Sequence, residues 1–284
     1  MADPGHQVGD IILRYPVSRV LGEGGTGRTY LLVDGRTNLC GKLFFDPTPA
    51  DRAHSQRPRR FQRRQEQLLK ALTFPASVHM KYFGEDGGFF VKITEFLTHQ
   101  TLPQVLGRMN RADRWNAALC LAAALADMER LGVVSLDLKP DNLMLDPRGV
   151  VLRIIDFDAG YVVGGEAPER SGTECYFSPE ALIWFSGPST RDPLPGPPSD
   201  MFTAGLLLYE IFSGRRVALD CREEPVLWIA QGGDMASLPG WRQVPMGIQG
   251  LIRAMVRLDP SRRLKATALL SMMQNHFVAE NRRN

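Results

Sequence analysis

The sequence predicts an α+β protein in two parts: a small β-rich N-terminal part with one main helix, then a larger helical part. Three observations carry this reading. Over the first hundred residues the apolar positions fall in short runs broken by glycine turns, as in strands. From about residue 100 they recur at helical spacing. The 284 residues are enough for one large domain or two lobes.

The elements follow in order. Residues 11–14 and 18–21 read as strands ahead of a glycine loop, and 28–33 and 39–45 as strands around the turn Asp34-Gly35. Residues 46–59 are polar and contain proline, so they read as a loop. Phe61, Leu68, Leu69 and Leu72 stand at helical spacing and predict a helix over 61–72. Residues 82–84 and 88–96 read as two strands around Asp86-Gly87. Helices are expected over 102–108, 114–131, 200–213, 247–258 and 265–278. The stretch SGPSTRDPLPGPPS at 186–199 is expected to be an irregular surface loop.

Composition closes off several classes. Hydrophobic residues make up 44% and charged residues 23%, the balance of a folded globular chain. The net charge of +3, from 34 basic and 31 acidic residues, is too even to indicate a nucleic-acid partner. Cys40, Cys120, Cys175 and Cys221 are widely spaced with no metal-ligand pattern, and read as reduced thiols. The opening MADPGHQVGD lacks a basic and apolar leader, so no signal peptide is expected. The apolar stretch 117–126 is too short to span a bilayer. A cytoplasmic protein with no membrane partner is the expectation.

Four motifs carry chemistry. Gly22-Glu23-Gly24-Gly25-Thr26-Gly27 is a G-x-G-x-x-G loop, whose glycines let backbone N–H groups approach phosphate oxygens. By itself it also fits an ordinary hairpin turn. A strand follows it, whereas a dinucleotide-binding fingerprint requires a helix there. Lys42 lies in the apolar strand LCGKLFF, where a fixed lysine needs an anionic partner such as a phosphate or carboxylate. Asp137-Leu138-Lys139-Pro140-Asp141-Asn142 and Asp156-Phe157-Asp158 place Asp137, Asn142 and Asp156 in loops, able to converge on one metal–phosphate site. Each acid alone fits a turn or capping role.

The order of these motifs resembles the signature set of protein kinases. Gly172-Thr173-Glu174-Cys175-Tyr176-Phe177-Ser178-Pro179-Glu180 is similar to the family's G-T-x-x-Y-x-A-P-E segment. Asp200-Met201-Phe202-Thr203-Ala204-Gly205 resembles the opening of its central helix, and Asp259-Pro260-Ser261-Arg262-Arg263 its D-P-x-x-R. The chain is thereby identified as a divergent member of the eukaryotic-like serine/threonine protein kinase family. The resemblance implies a bilobal protein-kinase fold, with residues 1–14 as an extension and 15–284 as the kinase domain. Within it the N-lobe covers about 15–95, the hinge about 95–100 and the C-lobe about 101–284.

It also implies site residues. The glycines Gly22, Gly24, Gly25 and Gly27 would cover the phosphates of ATP, and Lys42 would bind the α/β-phosphates. Asp137 would accept the proton of a substrate hydroxyl, with Lys139 on the γ-phosphate and Thr173 contacting the catalytic loop. Asn142 and Asp156 would hold Mg2+ or Mn2+. Thr94 would be the gatekeeper, with backbone groups of Glu95 and Leu97 bonding adenine. Leu21, Thr29, Cys40, Met144 and Ile155 would enclose the adenine, or else be ordinary core. Glu180 would pair with Arg263. The implied substrate is a protein with a serine or threonine hydroxyl, with no nucleic-acid partner.

The sequence departs from the family pattern in three places. Counting places Gln65 where the family has its helix-C glutamate, and a one-residue shift brings Glu66 there as the partner of Lys42; Glu66 is the preferred reading. Ser135-Leu136-Asp137 replaces H-R-D, and the missing arginine normally reads an activation-loop phosphate. Activity is therefore expected not to require phosphorylation of Ser171, Thr173 or Tyr176. Asp158 replaces the glycine of D-F-G, which should make the loop's flip costlier and adds a further acidic group near the metal. The run Arg52, Arg57, Arg59, Arg60, Arg63 and Arg64 is either a solvated face or a docking surface for an acidic regulatory partner. Two other readings remain open: a nucleotide-binding pseudokinase acting as a scaffold, and a small-molecule kinase.

Overall fold

The computed structural model describes residues 5–45, 57–146, 151–168, 174–187, 193–217 and 224–282. Arg52, Ser171, Cys221 and most of the 46–59 loop lie outside the described residues. Two compact units result. One holds residues up to Thr73, Val78–Thr98 and Gly165–Ala167; the other holds Phe74–Ser77, His99–Gly164 and Pro168–Asn284.

The first unit is an antiparallel sheet with one helix. Its strands are β1 Ile11–Ile12, β2 Tyr15–Gly24, β3 Gly27–Asp34, β4 Thr37–Phe44, β5 Met80–Asp86 and β6 Phe89–Glu95. They run in the order β1-β2-β3-β4-β6-β5. Side chains alternate across the pleat, so every second residue turns to one face. On one face Val17, Tyr30, Leu32, Leu39, Leu43, Val91 and Ile93 form a core. Ile12, expected in an extension outside the domain, is fully buried in the same core, and the Leu13 N–H donates to Asp86 Oδ2 at 2.6 Å. On the other side, Phe61 of helix α1 (Arg57–Ala71) meets Phe44, Phe83 and Phe90 at centroid distances of 5.1, 5.8 and 5.3 Å. The helix begins earlier than its apolar periodicity indicates, because Arg57–Arg60 carry no apolar signal yet are helical.

The second unit is mainly helical. Helix α2 (Leu102–Val105) gives way to a 3-10 turn over Leu106–Arg108, so the helix expected over 102–108 is two short pieces. Helix α3 (Arg111–Leu131) starts with a reciprocal cap between Asn110 and Asp113, both bonds 3.0 Å, and ends on Gly132 at φ 66°. A left-handed φ is one that glycine adopts without strain. Strands β8 (Val133–Val134) and β11 (Tyr161–Val162) pair, as do β7 (Gln100–Thr101), β9 (Leu143–Leu145) and β10 (Leu152–Ile154).

Helices α4 (Pro179–Ser186), α5 (Pro197–Ser213), α6 (Pro225–Ala230), α7 (Met246–Met255) and α8 (Ala266–Asn281) follow. In α5 every residue from Ser199 to Ser213 is buried; a helix apolar on all sides belongs in an interior. The loop expected over 186–199 is corrected at both ends. Ser186 closes α4, and Pro197, Pro198 and Ser199 form the first turn of α5, where proline's missing N–H costs nothing. Residues 188–192 lie outside the described residues.

Candidate active site

The site is built outward from α5. Asp200 in its first turn is buried and accepts two backbone hydrogen bonds, from Ser135 N–H to Oδ2 at 2.7 Å and from Leu136 N–H to Oδ1 at 3.1 Å. Leu136 has φ 56°, a left-handed conformation that costs a branched side chain roughly 1–2 kcal/mol. The two bonds hold the chain in this turn immediately before Asp137. Burial pushes the Asp200 carboxyl up to about 7, against the pull of the two backbone donors.

Asp137 is the centre of a compact polar cluster. Its Oδ2 accepts from Lys139 Nζ at 2.8 Å and from Asn142 Nδ2 at 3.0 Å, and its backbone carbonyl accepts from the same Nδ2 at 2.8 Å. With both amide hydrogens facing Asp137, the Asn142 side-chain oxygen is turned away from it. The Ile155 N–H donates to the Asn142 carbonyl at 3.0 Å, which brings the chain leading into Asp156 beside Asn142. Asp156 Oδ1 accepts from the Asp158 N–H at 2.9 Å. An amide oxygen and a carboxylate suit a hard divalent cation that completes its shell with phosphate oxygens and water. Among the described residues no three His, Cys, Asp or Glu side chains gather to hold an ion by themselves. Asp158 is buried and its backbone is not left-handed, so this conformation does not require the family's glycine.

In the first unit the glycine loop is the β2–β3 hairpin, with Gly22 opposite Thr29 and Gly24 opposite Gly27. Its base is pinned by Arg28 on Glu23, with Nε to Oε2 at 2.7 Å. A Cβ at Gly22, Gly24 or Gly25 would meet nothing within 4 Å, whereas one at Gly27 would lie 2.2 Å from the Leu43 carbonyl oxygen. Packing thus demands glycine only at 27; the other three leave backbone open to an approaching ligand.

Lys42 pairs with Lys92 across β4 and β6, and both ammonium groups lie over the Phe44 ring, at 5.4 and 5.8 Å from its centroid. On α1 it is Gln65 that is buried, at 1% exposure. The half-buried Glu66 accepts from Gln62 Nε2 at 2.9 Å, one turn back along the helix. Thr94 is buried at the end of β6 and its hydroxyl donates to the Glu95 carbonyl at 3.2 Å. The Glu95 N–H is taken by the His79 carbonyl at 3.0 Å, leaving Leu97 in the half-exposed stretch beyond. Leu21 is exposed, and Thr29, Cys40, Met144 and Ile155 are half-buried, so none of the five belongs to the closed core of its unit. Thr173 lies outside the described residues.

Two features go beyond what the motifs state. The first is the Asp200 anchor: the motif marks Asp200 as the opening of a helix, and only the fold shows both its oxygens facing the turn before Asp137. The second is a network on α5, where buried Glu210 accepts from the Tyr176 hydroxyl at 2.8 Å and the Val217 N–H at 2.9 Å. Arg216 stands 3.4 Å from Glu210 and 3.5 Å from Asp141. Burial raises the Glu210 carboxyl to about 7 and pushes the Tyr176 hydroxyl far up, with the Glu210 charge adding to it.

The expected Glu180–Arg263 pair is present and bidentate, at 2.5 and 2.9 Å, and the Arg263 side chain is fully buried. Its guanidinium also donates to the carbonyls of Arg257, Pro198 and Leu258 at 2.7, 2.7 and 3.2 Å. Removing one partner of a buried pair strands the other charge. Glu180→Ala should therefore cost about 3–5 kcal/mol of stability in urea unfolding. Arg263→Lys should not rescue the fold, because an ammonium cannot span both oxygens. A Glu180→Ala loss below about 1 kcal/mol, the range of exposed pairs, would contradict this.

An α+β chain with this loop, lysine, acid cluster and helix anchor has the layout of a protein kinase domain. Residues 15–275 match the family described as protein kinase domain, and the chain belongs to that family. It is similar to the serine/threonine-protein kinase pkn2 of Myxococcus xanthus, 30% identical over 267 residues that cover 88% of this chain and 31% of the relative. It is also similar to pkn3 of the same organism, 29% identical over 224 residues, covering 72% of this chain and 38% of pkn3. The serine/threonine-protein kinase PrkC of Bacillus subtilis (strain 168) is 25% identical over 264 residues, covering 88% and 38%. The chain thus spans 31% to 38% of the length of these relatives. No described helix is long and apolar enough to cross a membrane.

Proposed function

We propose that the chain transfers the γ-phosphoryl group of ATP to serine or threonine hydroxyls of protein substrates. The observation that carries this reading is the Asp137 cluster, a carboxylate whose lysine and asparagine partners are both in place on an anchored loop. In this reading Asp137 orients the substrate hydroxyl and accepts its proton, and Lys139 meets the charge on the γ-phosphate. Lys42 and the backbone of Gly22, Gly24 and Gly25 hold the phosphates. Asn142 and Asp156 are the residues that would hold magnesium or manganese, which when bound neutralises the phosphate charge. Phosphoryl transfer passes through a loose transition state, so positioning and charge neutralisation are what the protein supplies. Thr94, Glu95, Leu97, Leu21, Thr29, Cys40, Met144 and Ile155 are proposed to receive the adenine.

A second reading, a nucleotide-binding module that does not transfer, is favoured by one observation: Gln65 rather than a carboxylate fills the buried position on α1. One experiment separates the two. The protein is incubated with ATP and Mg2+, alone and with a generic basic protein, and intact mass is read for phosphate additions of about 80 Da per site. Additions on serine or threonine are expected. ATP-induced stabilisation with no mass gain on either protein would overturn the transferase reading and leave the binding module.

A further inference from the structure

Two arginines of the run on α1, Arg60 and Arg63, share a partner within the chain. Three α1 residues, Arg60, Arg63 and Gln67, stand at i, i+3 and i+7, one stripe of the helix. All three meet Glu166 of the first unit. Arg63 reaches Glu166 Oε1 at 2.7 Å through Nε and 2.6 Å through Nη2, and Arg60 Nε reaches Oε2 at 3.3 Å. Gln67 Oε1 accepts the Glu166 backbone N–H at 3.0 Å. The carboxylate is one-fifth exposed, whereas the arginines are 60% and 55% exposed, so the acid is the enclosed partner.

Elementary electrostatics says why α1 needs this acid. The first turn has no acidic residue and carries Arg57, Arg59 and Arg60, against the positive end of the helix dipole. Arg59 and Arg63, and Arg60 and Arg64, are like charges at i, i+4, which destabilise a helix. Glu166 offsets both effects, and the arginines hold its carboxyl below the usual glutamate range. In sequence, Glu166 lies between Asp156 and Glu180, the stretch in which the family places its regulatory phosphate. Leu136 occupies the position of the arginine that would read such a phosphate.

We infer that Glu166 is a positioning residue: a permanent anion that fastens residues 165–167 to Arg60, Arg63 and Gln67 and so sets α1 without phosphorylation. On another stripe of α1, Phe61 packs on Phe44, Phe83 and Phe90 of the sheet and Gln65 and Leu68 are buried, so the helix is held on two sides. One residue of roll is about 100°, the difference between presenting Gln65 and presenting Glu66. The inference rests on the phosphotransferase reading for its kinetic consequence, but not for the tether itself.

The test uses Glu166→Gln, which keeps shape and removes charge, and the reversed set Glu166→Arg with Arg60→Glu and Arg63→Glu. Hydrogen exchange of 57–67 and 165–167 is followed without nucleotide, and kcat and KM for ATP are measured on a basic protein. Glu166→Gln should speed exchange in both segments and lower kcat, each by about tenfold, the scale of one lost charge-assisted hydrogen bond. KM for ATP should change less than about twofold, since uniform binding is untouched, and the reversed set should restore both readouts. Wild type stripped of phosphate should keep its kcat. Unchanged exchange in Glu166→Gln, no restoration by the reversed set, or dependence of kcat on phosphate would each overturn the inference. If wild type transfers no phosphate at all, the phosphotransferase reading fails, and the exchange arm still decides the tether.

Discussion

Asp137→Asn should abolish nearly all phosphoryl transfer, with kcat lowered by about 10²–10⁴-fold, the usual contribution of a positioned general base. The substitution is close to isosteric. An asparagine oxygen at 137 can still accept from Lys139 or Asn142, which now donate to Oδ2 at 2.8 and 3.0 Å. The loop therefore keeps most of its geometry while the acceptor for the substrate's proton is lost. Asn142 and Asp156 are untouched, as are Lys42 and the glycine hairpin, so ATP with Mg2+ should stabilise the variant against heat as it does wild type. The measurement is intact mass and single-turnover transfer beside a thermal shift. Transfer within tenfold of wild type would remove Asp137 from the catalytic role. Loss of the ATP-induced shift would show that the change had damaged binding instead.

The second large effect is expected at a residue far less conspicuous in the sequence. Asp200→Ala should lower stability by about 2–6 kcal/mol, since each of two buried donors left without an acceptor costs about 1–3 kcal/mol. It leaves the N–H groups of Ser135 and Leu136 buried without an acceptor and releases the left-handed turn at Leu136. The urea midpoint should fall at unchanged slope. Any folded fraction should also lose about a hundredfold in kcat, the scale of a 1 Å misplacement of a catalytic group.

The pH dependence gives a separate check. The Asp200 carboxyl titrates near 7 in the fold against 3.8 when unfolded. Between those values the folded state holds the extra proton, so this group's contribution to stability falls as pH rises from about 4 through 7. Asp200→Asn cannot titrate, so the stability of wild type relative to this variant should decline across that window. A difference that is flat or rises with pH would contradict the assignment.

Much of this protein was legible from residue order. The alternating runs 28–33 and 39–45 are β3 and β4 with their ends moved by one or two residues, and the helices over 114–131 and 200–213 are the body of α3 and α5. Short elements escaped. Strands β8 and β11 have two residues each, too few for a period to register, and exist because their partners are close in space. Helix α4 is eight residues long with apolar groups on more than one face. The start of α5 was hidden because Pro197 and Pro198 read as loop residues, although proline is well suited to a first helical turn.

The site divides in the same way. The sequence by itself determined the parts: an alternating β-rich segment and a helical segment, a glycine hairpin, Lys42, and the acids and amide at 137, 142 and 156, all within one family. These are set by local chemistry and spacing, and spacing survives without coordinates. What only the tertiary structure decided is how side chains distant in sequence share charge and hydrogen bonds. It turned both oxygens of Asp200 onto the turn before Asp137, buried Gln65 while Glu66 bonds back to Gln62, and brought Glu166 onto the arginines of α1 more than a hundred residues earlier. A carboxylate's partner depends on which face of which element meets it, and a linear chain does not state that until packing has chosen the faces.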